Sequence, residues 1–552
     1  MQKRICAITG KEFVISDQEE AFCQEHMIPL PTISHVERLR RTCAMLSSVH
    51  LYPSTCALTK KPILPFIPPH KELVVYDIDA WMSDAWDPLS FGLDYDFSRP
   101  FFAQMAELLK KAPLPSLECI RSTMENSDYT NGVLNVKNCY LSFGVLNGED
   151  VLFSRTVLTA KDIIDSTYVT DSEICLGCIH VKNCYNLKYS EICDNCSDSA
   201  FLFDCKNCKN CYGCSNLVNK EYCFDNQQLT EAEFKTKRAQ IDLGSYQTVE
   251  SEKKKFGEMK SRAAIKFMQG KNNENSHGDF LNNTKDCRNC IFASDTENAE
   301  WSIQMINQTR NAFVCDGFGQ NGQNLYYSAA VGENAYNIKF CFDCYSNVRD
   351  LEYCIFVGFG CMDCFGCIGL KKKQYCILNK QYSKEDYFAL LQKIKAHMLS
   401  TGEYGQFFPA SMSPMDYNRS EGQVFLPLEK AEAERLGYTW KEDLPEDFTA
   451  TYQIPDNIDD VKDDILNAVL KCEATGKKYK IIKQELAAYR KFHAPIPHVS
   501  PIARVEKIQS SLTMAEVLTK QCSQCGTEIM TVYNTEKLRV LCEKCYQREV
   551  HG

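Results

Sequence analysis

The sequence predicts a mostly-β chain: a parallel β-helix in two blocks, flanked by small cysteine-bearing units and interrupted by helical insertions. Three observations carry that expectation. A cysteine array recurs at a fixed offset, a polar–apolar motif recurs in steps of mostly 12 residues, and four cysteines near one end stand at metal-ligand spacing.

The array is Cys208-x2-Cys211-x2-Cys214-x8-Cys223, and it returns 153 residues later as Cys361-x2-Cys364-x2-Cys367-x8-Cys376, with Tyr222 matched by Tyr375. After each copy comes an Asn, a hydroxyl residue placed as an N-cap (Thr230, Ser383) and a helical stretch. The finer motif is Asn or Asp, then Cys or an aliphatic, then often an aromatic. It runs through Asn138-Cys139-Tyr140, Asp150-Val151-Leu152, Asp162-Ile163-Ile164, Asn183-Cys184-Tyr185, Asn195-Cys196 and Asn207-Cys208. Short alternating runs between them, such as 151–157, read as strands rather than helices. Short strands ending at polar corners, many times over, describe the coils of a parallel β-helix, in which equivalent side chains stack. Residues 284–380 continue the style through Cys287, Cys290, Cys315, Cys341, Cys344 and Cys354, with insertions that blur the register.

Cysteine is small and apolar enough to fill such an interior, so a packed thiol ladder is one reading of these positions. Metal binding at Cys208, Cys211, Cys214 and Cys223, and at Cys361, Cys364, Cys367 and Cys376, is the other. An iron–sulfur cluster is its minor form, since the proline that follows a ferredoxin's last ligand is missing.

Length and punctuation divide the 552 residues further. The expected organisation is a cysteine unit at 1–60, a cap region at 61–134, the first block at 135–229 and a charged helical insertion at 230–280. The second block follows at 281–380, then a helix and linker at 381–460, a second cysteine unit at 461–510 and a zinc ribbon at 511–552. The insertion, rich in Lys and Glu, reads as exposed helices, which cap a solenoid, dimerise or form a solvated linker, the last being the simplest reading. Trp81, Trp86, Phe101 and Phe102 are expected to pack on the solenoid's N-terminal coil.

Neither a signal peptide nor a long apolar span is visible, so the 31 cysteines are expected in a reducing, cytoplasmic setting with no membrane partner. The net charge of −10 is uneven: +1 over 1–60, −15 over 61–459 and +4 over 460–552. An acidic middle disfavours nucleic acid there and leaves the ends as the better candidates.

Cys522-x2-Cys525-x16-Cys542-x2-Cys545 is the strongest chemical signal. Two Cys-x2-Cys knuckles present four thiolates at the separation of a zinc ribbon, and with every position taken by sulfur the one Zn²⁺ is structural. A second repeat links the two ends without a gap: residues 6–38 align with 472–504. Cys6, Thr9, Gly10, Lys11, Gln18, Glu19, Pro29, Pro31 and Arg38 match Cys472, Thr475, Gly476, Lys477, Gln484, Glu485, Pro495, Pro497 and Arg504. Each copy reads as a hairpin, a helix and Pro-x-Pro, and Cys56-x2-Thr59-x-Lys61 is placed to open a third copy.

The Cys-x2-Thr-Gly-Lys to Pro-x-Pro segment, Trp81-x2-Asp84-x-Trp86-Asp87, Asp94-Tyr95-Asp96-Phe97, Glu125-Asn126-Ser127, the Asn-Cys-Tyr motif and Cys542-Glu543-Lys544-Cys545-Tyr546 together resemble a family. It is that of the large cysteine-rich, zinc-ribbon-containing proteins of candidate-phyla-radiation (Patescibacteria) bacteria, some of them labelled CaiB/BaiF. The resemblance spans nearly the whole chain. It implies treble-clef-like zinc units at the ends, with Cys pairs where this chain has Cys6, Thr9, Ser34 and Glu37, and Cys472, Thr475, Ser500 and Ala503. Three of four ligands are gone from each, so both are expected to be metal-free relics. The resemblance brings no established activity.

The expected function is therefore a non-enzymatic zinc-binding scaffold on a Cys-rich β-solenoid. Its partner is protein, a second copy of itself, or nucleic acid or a ribonucleoprotein engaged through the ends, with Lys537, Arg539, Lys544 and Arg548 as candidate nucleic-acid contacts. No catalytic residue is assigned. The alternative is a carbohydrate-active or CoA-transferring enzyme with its site near Trp81–Asp96, where six Asp side chains and two Trp cluster.

Overall fold

Residues twelve apart sit side by side. Val133, Val145, Val157, Val169, Val181 and Cys193 form one column of parallel neighbours, and Val151, Ile163, Cys175, Leu187 and Ser199 a second. These facts come from a computed structural model that describes residues 2–305, 309–315, 317, 323–326, 329–331, 336–340, 342–344, 349–444, 447–512 and 516–552. The chain is mostly β, and its strands pair predominantly in parallel. In the first block parallel pairing begins with the bridge Cys119↔Val133 and the strand at Met124, ahead of the expected 135, and ends in a hairpin at 223–228. The second block pairs less evenly. Its neighbours are 11 apart at Gly270↔Leu281, 13 at Leu351↔Cys364 and 12 at Cys364↔Cys376, which accounts for the blurred register. Cys341 and the side chain of Cys344 lie outside the described residues.

The backbone explains the stride. From Asn135 to Asp225 nearly every third residue has positive φ, as in Asn135, Asn138, Leu141, Gly144, Asn147 and Asp150. Four left-handed corners therefore separate short extended pieces in each 12-residue step. Asn and Asp tolerate that conformation best, which is why they recur. Stacked corners also bond to each other: Asn195 Nδ2 donates to Asn207 Oδ1 at 2.8 Å, and Asn207 Nδ2 to Asn219 Oδ1 at 2.9 Å. Inside, Ser142, Ser154 and Ser166 each accept from the backbone of the next layer. Val, Ile and Cys fill the remainder of the interior.

The two blocks meet along aromatic faces. Tyr168 stacks on Phe292 at 4.0 Å and His180 on Phe280 at 3.9 Å. Burial holds the His180 imidazole down at about 3, so it packs as a neutral ring.

Three expectations are corrected. The helices at Glu231–Ala239 and Tyr246–Arg262 are not a solvated linker. Their few apolar residues, Phe234, Val249 and half-buried Phe256, lie on Phe201 and Tyr212 of the first block, and Tyr212 donates to Glu252 at 2.9 Å. The stretch after the helix Lys384–Ser400 is not a linker either, since Phe407, Phe408, Met412, Met415 and Phe425 are all buried. Finally, Trp81, Phe101 and Phe102 pack on the far end of the second block, not on the N-terminal coil of the first. Phe101 lies 5.3 Å from Phe365, Phe102 5.6 Å from Tyr353 and Trp81 5.9 Å from Phe359. Backbone bonding explains the placement, because Leu93 N–H donates to Leu378 O and Asn379 Nδ2 to Pro88 O, closing that end of the block.

The terminal repeats dock crosswise. The unit at 6–38 packs on the second block, where Phe22 lies 5.2 Å from Phe313 and His35 stacks on Trp301. The unit at 472–504 packs on the first, where the Arg504 guanidinium lies 4.9 Å over Phe153 and Lys491 pairs with Asp162.

Candidate metal centre

Hairpin Leu518–Gln521/Glu528–Thr531 forms the first knuckle, and strand Arg539–Leu541 running into helix Glu543–Val550 forms the second. Gly526, at φ +71°, turns the first knuckle so that its N–H meets Cys522 O at 3.0 Å. The four Sγ atoms of Cys522, Cys525, Cys542 and Cys545 lie within 4.8 Å of one another, and Cys525 and Cys542 are 3.7 Å apart. Cys542 N–H donates to Cys522 Sγ at 3.2 Å, and Thr527 holds the Cys525 thiol down at about 6. Four convergent sulfurs, two buried and one exposed, can hold a metal ion and leave no sulfur-free position for water. Among the described residues this is the one such group.

The other eight candidate ligands are not gathered in this way. Cys208 Sγ lies 3.3 Å from Lys206 O and 3.4 Å from Leu217 O, and Cys367 Sγ 3.4 Å from both Phe365 O and Cys376 O. Cys211, Cys214, Cys361, Cys364, Cys223 and Cys376 are likewise buried in the interior of their blocks. Thiols there donate to backbone carbonyls along the stack.

The same knuckle occurs four times among the described residues, where sequence alone shows only three copies. Cys6 N–H donates to Lys11 O, Cys56 to Lys61 O, Cys472 to Lys477 O and Cys522 to Thr527 O, at 2.8, 2.9, 2.8 and 2.8 Å. Each leading sulfur accepts a backbone N–H from a residue opening a helix: Ser34 at 3.4 Å, Asp77 at 3.2 Å, Ser500 at 3.3 Å and Cys542 at 3.2 Å. Where the ribbon has Cys525, the others have Thr9, Thr59 and Thr475. Burial alone would push the Cys6 and Cys472 thiols up, but the Thr hydroxyls and the facing Ser34 and Ser500 amides pull both down to about 7. Hydrogen bonds thus occupy the sulfur that a metal holds in a complete site. The signal that joins the ribbon to the other three is the Cys-x4-[Lys/Thr] turn, too short to stand out in a single sequence.

The ribbon is pinned at the seam between the blocks. Ala264–Lys266, which link the insertion to the second block, pair in parallel with Arg539–Leu541. Tyr546 OH donates to Asp204 of the first block and Tyr533 OH to Asp279 of the second, each at 2.5 Å. Burial pushes the Asp279 carboxyl up to about 6.

Lys537, Arg539, Lys544 and Arg548 are all exposed, but Arg539 is held by Glu549 through both arms of its guanidinium. Other cations of the +4 stretch 460–552, on either side of Pro495 and Pro497, are largely paired within the fold. Arg490 pairs with Asp463, Lys491 with Asp162, and Arg504 lies largely covered between Asp165 and Glu485. The acidic cluster is structural in its contacts. Asp77 caps 78–82, Asp87 accepts from Leu89 N–H and Asp96 from Ser98, while Trp81 Nε1 donates to Pro113 O at 2.9 Å. Lys371 lies over both Trp81 and Trp86.

Among known proteins, no family model matches the chain and no curated protein matches it significantly. No helix among the described residues is long and apolar enough to cross a membrane.

Proposed function

We propose that this protein is a non-enzymatic scaffold, a β-solenoid of two side-by-side blocks locked by one structural Zn²⁺ at Cys522, Cys525, Cys542 and Cys545. The observation that carries the reading is the placement of the four-sulfur unit, which bonds to Asp204 of one block and Asp279 of the other. The resemblance to zinc-ribbon proteins of candidate-phyla-radiation bacteria points the same way. A tetrahedron with Zn–S of about 2.3 Å has edges of about 3.8 Å, close to the 3.7 Å between Cys525 and Cys542. The 12-residue columns and left-handed corners support the solenoid, and solenoids present long, rigid side walls to partners.

A protein partner on that wall fits better than nucleic acid at the ends, because Arg490, Lys491, Arg504 and Arg539 are engaged within the fold. Two measurements on the full chain test the proposal. Elemental analysis should find close to one zinc per chain; two or more, or iron, would overturn the ladder reading of the block cysteines. A fluorescence titration with generic RNA and DNA at rising salt should show no strong binding. Tight, steeply salt-dependent binding lost when Lys537, Lys544 and Arg548 become Ala would restore the nucleic-acid reading.

A further inference from the structure

Between the two blocks lies a cavity of about 280 Å³ that no part of the scaffold reading uses. One wall is a stripe of half-buried leucines on the first block, Leu134, Leu146 and Leu158, in register as parallel neighbours. Phe356 and Phe359 of the second block and Leu46 face it. Its polar groups are few. Arg155 is 5% exposed and pairs with Glu421, to which Gln304 Nε2 also donates, at 3.4 Å. Arg155 Nη1 and Ser47 Oγ are both buried and have no hydrogen-bond partner among the described residues.

An orphaned guanidinium N–H at this depth costs free energy unless something accepts from it. Ordinary cavities of this size take small organic molecules: an apolar cavity of about 150 Å³ holds benzene, and ligand pockets start near about 300 Å³. The charges select the ligand's head. Arg155 is already balanced by Glu421, and Glu118 lies on the same lining, so a carboxylate head would meet two acids for one cation.

We infer that this cavity is a binding site for an uncharged, mainly apolar small molecule carrying one oxygen acceptor, a ketone, ester or alcohol, that bonds Arg155 Nη1 and Ser47 Oγ. Such a ligand touches both blocks and braces them against each other.

The test is titration of the full-length protein with Prodan, a neutral naphthalene ketone whose emission shifts to the blue on leaving water. Saturable binding of one probe per chain is expected. Competition by 1-decanol but not by decanoate is also expected. Leu146→Trp, which fills the cleft from its half-exposed side, should weaken binding at least tenfold with the far-UV circular dichroism unchanged. Ser47→Ala should weaken it several-fold while leaving the buried Arg155–Glu421 pair intact. Absence of saturable binding, binding indifferent to both substitutions, or displacement by decanoate as good as by decanol would each overturn the inference.

Discussion

The two terminal repeats share Glu19/Glu485 and Arg38/Arg504, yet set those residues differently. In both, the arginine crosses the unit to the glutamate, deep in the protein. In the first unit Arg38 serves Glu19, which also contacts His35, and extends to the Tyr326 hydroxyl of the second block at 3.4 Å. In the second unit Arg504 divides itself between Glu485 and Asp165 of the first block. The carboxyls respond in opposite senses. Burial would raise Glu19, but Arg38 and His35 hold it down at about 2. Burial raises Glu485 to about 7, because its arginine is shared with a second acid. The lesson concerns what a repeat keeps. Both copies have a single cysteine in the knuckle, Cys6 or Cys472, and both keep the pair that ties each unit together and to its block.

The largest effect expected concerns the unit that kept its sulfurs. Cys525→Ser should cost most of the metal-binding free energy, on the order of 10 kcal/mol in isolated zinc units. Hydrogen exchange should show 518–550 deprotected while the helix at 483–492 keeps its protection. Loss of protection in both units would mean that the repeat at 472–504 depends on the metal.

The comparison can also be run backwards. Thr475→Cys, Ser500→Cys and Ala503→Cys together restore four sulfurs to a backbone already set for them, since Ser500 N–H and Cys542 N–H approach their sulfurs at 3.3 and 3.2 Å. Zinc content should rise from one to two per chain. The first unit is the poorer host, because Glu37 there holds Arg40, which also donates to Tyr417.

Next in size are the two arginines that hold the units, Arg38 buried and Arg504 largely covered. Arg504→Met leaves Asp165 and Glu485 facing each other and should destabilise the second unit by about 3–5 kcal/mol. Arg38→Met should cost the first unit somewhat less, His35 being left beside Glu19. Urea dependence of exchange in the helices Asp17–Glu25 and Lys483–Phe492 measures each locally. An equal small loss from both would remove the docking role.

The pH dependence is the subtlest test. Glu19, lowered in the fold, contributes stability that is complete above about 4.5 and is lost as pH falls toward 2. Glu485, raised in the fold, makes its unit more stable as pH falls from about 7 to 4.5. Each swing is of order 3 kcal/mol. Exchange rates corrected for intrinsic pH effects, followed at both helices from pH 7 to 4.5, should rise in neither and fall in the second alone. Parallel behaviour of the two helices would contradict the shared-arginine account.

Much of this arrangement was legible in the sequence where spacing encodes it: the 12-residue stride, the cysteine array and the four-sulfur ribbon. The corners inside the stride were not, because positive φ falls on Leu141, Phe153, Tyr168 and Ile174 as well as on Asn and Asp, so residue type hides the three-residue period. The packing of 231–262 was hidden because Phe234, Val249 and Phe256 are few among many charges. The partner of Arg504 was hidden too, since nothing local announces an acid 339 positions away at Asp165.

The crosswise docking of the terminal units has a consequence for synthesis. The unit at 6–38 leaves the ribosome well ahead of the residues it packs on, Phe313 and Tyr326, which follow some 300 positions later. At about 5–20 residues per second it waits roughly 15–60 s with its apolar side uncovered. The unit at 472–504 emerges onto a finished first block and has no such wait. Chaperone dependence during translation should therefore fall on one end of this protein and spare the other.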